Sequence, residues 1–282
     1  MHKRSLIHPF RYLFGCVILF SGLITVASPE EDRQAIRDFY AKRFPDVPLA
    51  EHKDGSYALN AEKREQWLEI EDFPPYEIAV DDGETLFNTA FKNGRTYADC
   101  FENGGIAIKQ NYPYFDITKG TVVTLEMALN QCRQDNGETP FDYASPDLNA
   151  LMAYMAFTSR GKHFDIKIPD DPRALAAYED GKRFYSTRRG QLNFACTSCH
   201  AQIVGNQLRA ETLSASLGHP THFPAYRFKW QEVGSLQRRF QECNTQVRAK
   251  PFELQSEPYR NLEYFLTYIS NGMELNGPAT RK

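Results

Sequence analysis

The segment Cys196–His200 reads Cys-Thr-Ser-Cys-His and places two thiols and an imidazole at close spacing. Each thiol can add to one vinyl group of a porphyrin, and the adjacent imidazole can then serve as a proximal ligand of the iron. A zinc site or a redox dithiol on the same Cys-x-x-Cys pair are the alternatives. The adjacent histidine and the export signal described next favour haem. The sequence therefore predicts a c-type cytochrome with a covalently bound haem c.

The N-terminus has the pattern of a secretory signal peptide over residues 1–27. Lys3, Arg4 and Arg11 form a basic region, and an apolar stretch follows over 12–26. About 15 apolar residues fall short of the roughly 20 that cross a bilayer, so cleavage near residue 27 is favoured over an uncleaved anchor. No later segment is apolar enough to span a membrane. We therefore expect the mature protein in the periplasm.

The charge balance argues against a nucleic-acid-binding protein. The chain has 33 Lys and Arg against 36 Asp and Glu, a net charge of −3, whereas nucleic-acid binders normally carry a strongly basic face. Small molecules and other proteins are the expected partners.

The cysteine count restricts the remaining pairings. Six cysteines are present, and removal of the signal peptide takes Cys16. If haem occupies the Cys-x-x-Cys pair, the other three permit one disulfide and one single thiol. The economical pairing joins Cys100 to Cys132 and leaves Cys243 alone.

The two halves of the chain show a similar order of patterns. A short helical stretch begins at Gly83 in the first half and at Gly181 in the second, each ahead of a cysteine region. Each half closes with an amphipathic, aromatic helix, over 147–155 and over 259–268. Chance similarity between short helical patterns is the alternative. We predict a mainly α fold with two tandem cytochrome c-like domains.

Only the second half can attach haem by the usual route, because Phe101-Glu102-Asn103 follows Cys100 with neither a second thiol nor a histidine. Residues 168–172, Ile-Pro-Asp-Asp-Pro, interrupt the helical pattern between the halves. These features predict three segments after the signal peptide: an N-terminal helix and arm over 28–76, a haem-less domain over 77–170 and a haem-binding domain over 171–282. The arm is expected to be irregular from residue 45 and to wrap the first domain or a partner.

The second half must also supply the other axial ligand of the iron. The candidates are Cys243, Met273, His219 and His222. In small cytochromes this ligand comes from the region ahead of the final helix, where Cys243 lies, whereas Met273 follows that helix. The two histidines are explained more simply by bonds to a haem propionate or to backbone. Cys243 is therefore the expected ligand.

Basic residues stand around Cys243. Arg239 precedes it by four residues, so on a helix both side chains project from one face. Arg248 and Lys250 follow closely. Cationic groups favour the thiolate form of a cysteine and can bind an oxyanion through forked donors. A solvated run of surface arginines is the alternative interpretation.

Together these motifs resemble the SoxA family, the catalytic subunits of SoxAX cytochrome complexes that carry out L-cysteine S-thiosulfotransferase chemistry in bacterial thiosulfate oxidation. The resemblance covers nearly all of the chain after the signal peptide. It is carried by the segments 93–100, 154–161, 196–200, 239–243, 247–252 and 264–272.

The resemblance implies an enzyme in place of a passive electron carrier. In SoxA-like proteins the haem-ligating cysteine is found as a persulfide and is the proposed catalytic group, a role that falls on Cys243. The arginine four residues earlier is assigned to the substrate, which implies Arg239. One-haem members keep a disulfide in the vacated domain, and Cys100 with Cys132 fits that pattern.

The resemblance also implies a cofactor and partners. One haem c would be attached to Cys196 and Cys199, with His200 and Cys243 as axial iron ligands. The chain would form a heterodimer with SoxX, join thiosulfate to a cysteine of the carrier protein SoxYZ, and pass two electrons through haem to SoxX and a soluble cytochrome c. An electron-transfer subunit without sulfur chemistry, in which Cys243 only tunes the haem potential, is the alternative.

Overall fold

The computed structural model describes residues 27–281, so all of the predicted signal peptide except Ala27 lies outside the described residues. Among the described helices, none combines the length and the apolar content needed to cross a bilayer. The fold is mainly α, as predicted, with short strands between the helices.

The α-helices of the described region are Pro29–Arg43 (α1), Ala61–Glu71 (α2), Glu77–Asn88 (α3), Leu125–Asp135 (α4), Pro146–Phe157 (α5), Pro172–Ser186 (α6), Leu236–Gln246 (α7) and Glu257–Ile269 (α8). The strands are Tyr114–Asp116 (β1), Thr121–Val123 (β2), Gln207–Leu208 (β3), Glu211–Thr212 (β4), Ala225–Arg227 (β5), Glu232–Gly234 (β6) and Ala279–Arg281 (β7). Shorter 3₁₀ turns occupy Leu49–Leu59, Tyr97–Asp99, Glu102–Gly105 and Lys109–Asn111, and a π-helical turn occupies Ser198–Gln202.

Both halves repeat one arrangement of these elements. An antiparallel hairpin leads into a helix in each half, β1–β2 into α4 and β5–β6 into α7. Thr124 caps the start of α4, and Ser235 caps the start of α7, each by accepting a backbone N–H with its hydroxyl. In the second half β7 adds to the hairpin in parallel beside β5. The repeated order agrees with the two cytochrome c-like regions expected from the sequence.

A glycine lies at the main helix crossing of each half. In the first half α3 crosses α5, and an added Cβ at Gly83 would lie 2.0 Å from the carbonyl oxygen of Ala150. In the second half α6 crosses α8, and an added Cβ at Gly181 would lie 2.0 Å from the carbonyl oxygen of Asn261. The absence of a side chain at these two positions lets the helix backbones approach closely.

The apolar core of the second half continues into the first. Its cluster is centred on aromatic residues of α6 and α8, including Tyr178, Tyr259 and Phe265, and it also contains Phe115 and Val122 from the first hairpin. Burial of these large side chains away from water is the main force that holds the two halves together.

The arm is more regular than the sequence predicts. Contrary to the expected irregular segment after residue 45, the 3₁₀ turns over Leu49–Leu59 and the helix α2 occupy much of it. Only Trp67 of α2 is buried, so no apolar stripe marks the helix in the sequence. Trp67 stacks between Tyr57 and His222, with ring centroids 4.9 and 5.2 Å away.

This arm packs largely against the second half and not around the first, which corrects the first of the two alternatives expected for it; contact with a partner stays a prediction. The Tyr40 hydroxyl donates to the carbonyl oxygen of His200 at 2.5 Å. Lys53 forms an ion pair with Glu274 at 2.7 Å. The arm therefore supports the segment that carries the Cys-x-x-Cys-His motif.

Candidate functional site

Cys196 lies just ahead of the π-helical turn Ser198–Gln202, and Cys199 lies within it, after α6 and its connecting loop. Neither thiol is bridged to another described cysteine. The Ala195 backbone N–H donates to the Ser198 hydroxyl at 3.1 Å, and the Ser198 N–H donates back to the Ala195 carbonyl at 3.0 Å. These reciprocal bonds hold the short segment between the two thiols in one conformation.

His200 has the protonation state that an axial ligand requires. Its Nδ1 lies 2.9 Å from the carbonyl oxygen of Ser214. Because a carbonyl oxygen only accepts, Nδ1 carries the proton and Nε2 keeps its lone pair. Burial lowers the pKa of His200 to about 4, so the ring is neutral at pH 7. The bond to Ser214 orients the ring as backbone carbonyls orient metal-bound histidines elsewhere.

The other two histidines differ in their surroundings: His219 contacts His200 and Tyr185, whereas neither ring nitrogen of His222 makes a hydrogen bond within the described residues. The ring of His219 stands perpendicular to that of His200 at a centroid distance of 4.4 Å, and its Nε2 lies 3.2 Å from the Tyr185 hydroxyl. Direct ring contact places His219 on the same side as the proximal ligand. His222 lies 3.7 Å from the Oδ1 atom of Asp54. That neither histidine is the second axial ligand stays a prediction.

The side chain of Met273 also packs against other residues. It is buried in a small apolar cluster with Tyr40, Val204 and Leu217. Cys243, by contrast, lies on α7 and its charge reaches the attachment segment. Cys243 therefore stays the predicted ligand among the four candidates.

The three free thiols share one region of the molecule. Burial, and then the charge of Cys243, raises the pKa of Cys196 to about 12. The same two causes, in the same order, raise the pKa of Cys199. Because such an effect acts only over a short distance, Cys243 lies in the neighbourhood of the pair.

Arg239 lies one helical turn before Cys243 on α7 and is held by two carboxylates. Its Nη1 lies 2.5 Å from Oε2 of Glu242, and its Nη2 lies 3.7 Å from Oε2 of Glu211. Burial opposes the charged guanidinium, but the negative charges of Cys243, Glu242 and Glu211 outweigh burial and raise its pKa. Arg239 is therefore a permanent cation beside the thiol.

Sequence reasoning missed the residues that surround this arginine. Arg227, at the end of β5, lies 2.9 Å from Glu211. Glu211 itself belongs to the hairpin β3–β4, and Glu242 directly precedes Cys243 in the chain. Only Glu242 could have been found from the sequence, because it is adjacent to Cys243. Glu211 and Arg227 are distant in the chain and come close to Arg239 only in the folded protein.

Arg248 and Lys250 do not share the position of Arg239. Both residues are exposed and follow the end of α7 at Gln246. The basic character predicted around Cys243 is thus concentrated in buried arginines on α7 and β5.

The donor set fits a c-type haem. It contains two free thiols at the covalent spacing, a neutral imidazole with an available Nε2, and a third free thiol in their neighbourhood. Exposed apolar side chains border the motif on both sides, at Leu192, Phe194 and Ile203. Such side chains match the apolar faces and edges of a porphyrin.

The first half contains a disulfide in place of free thiols. Cys100 and Cys132 are joined with an S–S distance of 1.95 Å and a Cα–Cα distance of 5.8 Å. This is the pairing implied by the resemblance to one-haem proteins. It removes both cysteines of the first half from thiol chemistry.

Comparison with known proteins agrees with this arrangement. The family described as SoxA/TsdA, cytochrome c domain, matches residues 82–164 and 180–275. The chain is 56% identical over 262 residues to the L-cysteine S-thiosulfotransferase subunit SoxA of Allochromatium vinosum, covering 93% of each chain. It is 49% identical over 253 residues to the protein of that name from Chlorobaculum tepidum, covering 90% of this chain and 88% of the relative.

A solved structure also has the same fold. The crystal structure of SoxXA from P. pantotrophus matches with a TM-score of 0.70 and 28% sequence identity, covering 77% of this chain and 84% of that chain. Since the family match spans more than half of the sequence and the relatives align over nearly its whole length, this chain belongs to the SoxA family of haem c cytochromes.

Proposed function

We propose that this chain is the catalytic subunit of an L-cysteine S-thiosulfotransferase, which joins thiosulfate oxidatively to a cysteine of the carrier protein SoxYZ. The observation that carries the proposal is the free thiol of Cys243 one helical turn after the partly buried cation of Arg239 on α7, in the neighbourhood of the Cys196–Cys199 pair. The names of the relatives from A. vinosum and C. tepidum support the reaction class.

One haem c would be bound through Cys196 and Cys199, with His200 and Cys243 as the axial ligands of its iron. When bound, a haem supplies one-electron redox chemistry at a potential that the axial ligands and their surroundings set. The neutral ring of His200, held by the Ser214 carbonyl, is ready for this role without a proton having to leave.

The proposed reaction is an oxidation that forms one S–S bond. The carrier cysteine loses its thiol proton, its sulfur bonds to the terminal sulfur of thiosulfate, and two electrons leave for SoxX and a soluble cytochrome c. Arg239 would bind the anionic oxygens of thiosulfate through its forked donors. This contact directs the terminal sulfur toward Cys243, and the burial of Arg239 strengthens the attraction by excluding water.

The proposal includes a heterodimer with SoxX in the periplasm. The SoxXA complex from P. pantotrophus supports such a partner. The signal-peptide pattern in residues 1–27 supports export. A periplasmic location also suits the disulfide of the first half, because disulfides persist in oxidising compartments.

The test is the Cys243→Ala variant, purified with SoxX and assayed for thiosulfate-dependent reduction of cytochrome c with the carrier protein present. We expect a loss of roughly 100-fold or more, because the variant lacks the sulfur toward which the substrate is directed and which is a proposed ligand of the haem iron. The matched control is the Cys100→Ala/Cys132→Ala double variant, which alters sulfur atoms only in the first half. Haem content of both variants is measured from the absorption spectrum of the pyridine complex.

Two outcomes would contradict the proposal. Full activity of Cys243→Ala with haem retained would leave the chain as an electron-transfer subunit without sulfur chemistry. A colourless protein that contains zinc in place of haem would remove the cofactor assignment. The intact mass of the native protein adds a separate readout: a haem plus one extra sulfur atom favours a persulfide at Cys243.

A further inference from the structure

Four charged side chains form a closed ring of ion pairs next to the thiol of α7. Arg239 pairs with Glu242 at 2.5 Å and with Glu211 at 3.7 Å. Arg227 pairs with the same two carboxylates, at 2.9 Å from Glu211 and 3.9 Å from Glu242. An anion that approaches Arg239 therefore meets a cation that already has two carboxylate partners and has to compete with them.

The two carboxylates of this ring are not equivalent. The side chain of Glu242 is only 12% exposed, directly precedes Cys243, and also pairs with Lys229. The side chain of Glu211 is 41% exposed, and its contact with Arg239 is the longer of the two. Exposed ion pairs contribute little to stability, whereas breaking a buried ion pair is strongly destabilising. Glu211 is therefore the carboxylate that an incoming anion can replace.

The backbone that carries Glu211 is held in place by the arm. Lys63 of α2 donates from Nζ to Oε1 of Gln207 at 2.8 Å, to the carbonyl of Ala210 at 2.7 Å and to the hydroxyl of Thr212 at 3.2 Å. These bonds connect α2 to both strands of the β3–β4 hairpin and fix the position of the hairpin. Release of Arg239 then requires movement of the Glu211 side chain alone.

Arg227 has capacity for a further acceptor. Its side chain is 6% exposed, and its Nε makes no hydrogen bond within residues 27–281. A buried guanidinium N–H without an acceptor is costly, because the group has lost its bond to water. An oxyanion placed between the two arginines would supply that acceptor.

We propose that Glu211 is a positioning residue that holds Arg239 and Arg227 in the substrate-free protein and competes with thiosulfate for them. The inference rests on the proposed function, since it concerns the same anion-binding arginine. Thiosulfate takes the place of the Glu211 carboxylate on Arg239, while Glu242 continues to hold the guanidinium. Glu211 thereby sets the affinity of the site for its anion without taking part in bond formation.

The test measures thiosulfate binding to the haem-loaded complex with SoxX by calorimetry, without the carrier protein, so that no product forms. Glu211→Gln should bind thiosulfate roughly three- to tenfold more tightly than wild type. With the carrier protein present, KM for thiosulfate should fall by a similar factor while kcat is retained. The matched control is Glu232→Gln, which removes a carboxylate of similar exposure that pairs with Arg238 at 2.8 Å; it should bind as wild type does.

Glu211→Asp separates direct contact from a long-range field. It keeps the charge but shortens the side chain, so tighter binding in this variant supports direct competition, and wild-type binding contradicts it. Unchanged or weaker binding in Glu211→Gln, or an equal gain in Glu232→Gln, would overturn the inference. Arg239→Gln distinguishes the two proposals: if it leaves binding and turnover unchanged, the proposed role of Arg239 itself is wrong, whatever Glu211 does.

Discussion

Cys132 and Cys243 occupy the same position in the two halves of the protein: each is the eighth residue of an eleven-residue helix that follows a short hairpin. Cys132 is bonded to Cys100, whereas Cys243 is a free thiol among residues 27–281. Four residues before these cysteines stand Ala128 and Arg239, respectively. One copy of the helix therefore carries a structural bond, and the other carries a thiol next to a cation.

The disulfide should contribute stability without contributing to turnover. It links residues 32 positions apart, and on the chain-entropy account a loop of that size stabilises the fold by about 3 to 4 kcal/mol. The Cys100→Ser/Cys132→Ser variant should lose about this free energy of unfolding in urea titrations. Its rate of thiosulfate-dependent cytochrome reduction at 20 °C should match wild type within about twofold. An unchanged urea midpoint would contradict the structural role.

Substitution of Gly83 or Gly181 by alanine should destabilise the fold. Alanine favours helix by up to about 1 kcal/mol over glycine, but here its Cβ would meet a backbone carbonyl at 2.0 Å. We expect each variant to lose about 3 kcal/mol of unfolding free energy, because the crossing helices have to separate. The exposed Glu84→Ala in α3 is the control, with a change below about 0.5 kcal/mol. A stabilised Gly83→Ala variant would show that the helices are not in contact at this point.

A buried pair of carboxyl groups should make stability depend on pH. Glu126 of the first half and Glu263 of the second are buried, and burial raises the pKa of both. Glu126 raises the pKa of Glu263 further, whereas Lys109 lowers both. A raised pKa means that the folded state binds protons more tightly than the unfolded state. The contribution of the pair is therefore greatest below the ordinary Glu value of 4.5 and is lost as the pH rises above it.

Glu263→Gln tests this dependence, since glutamine keeps an oxygen that can accept from Gln237 but carries no charge. The variant should gain about 2 kcal/mol of unfolding free energy over wild type at pH 8 and much less at pH 5. Urea titrations at the two pH values measure the difference. Glu253→Gln, at an exposed position, is the control. An equal gain at both pH values would exclude the carboxyl pair as the cause.

The Tyr40 hydroxyl should matter for the segment that carries His200. It donates to the His200 carbonyl at 2.5 Å and accepts from the Ser216 backbone N–H at 3.0 Å. Tyr40→Phe leaves these buried groups without a partner and should cost about 2 kcal/mol of unfolding free energy. Phe39→Leu, at an exposed neighbouring position, should cost less than about 0.5 kcal/mol. Equal midpoints for the two variants would indicate that the arm does not support the motif.

The elements that the sequence predicts well are those with local signals. The N-terminal helix predicted ahead of the arm is α1, at Pro29–Arg43, and a capping box of Ser28 with Glu31 marks its start. The closing helices α5 and α8 have apolar periodicity and an acidic first turn. The strands contain two or three residues each, too few for an alternating pattern, so they went unpredicted.

Local spacing is sufficient to predict a haem-binding motif and to place Arg239 one turn before Cys243 on a helix, because a Cys-x-x-Cys-His run and an i, i+4 pair need no distant residue to define them. The carboxylate and the second arginine that surround Arg239 could not be found in that way. Glu211 and Arg227 are brought there by two separate hairpins, and the packing of the arm against the second half positions one of them. Contacts between residues far apart in the chain depend on how the elements pack, and no short sequence pattern records that packing.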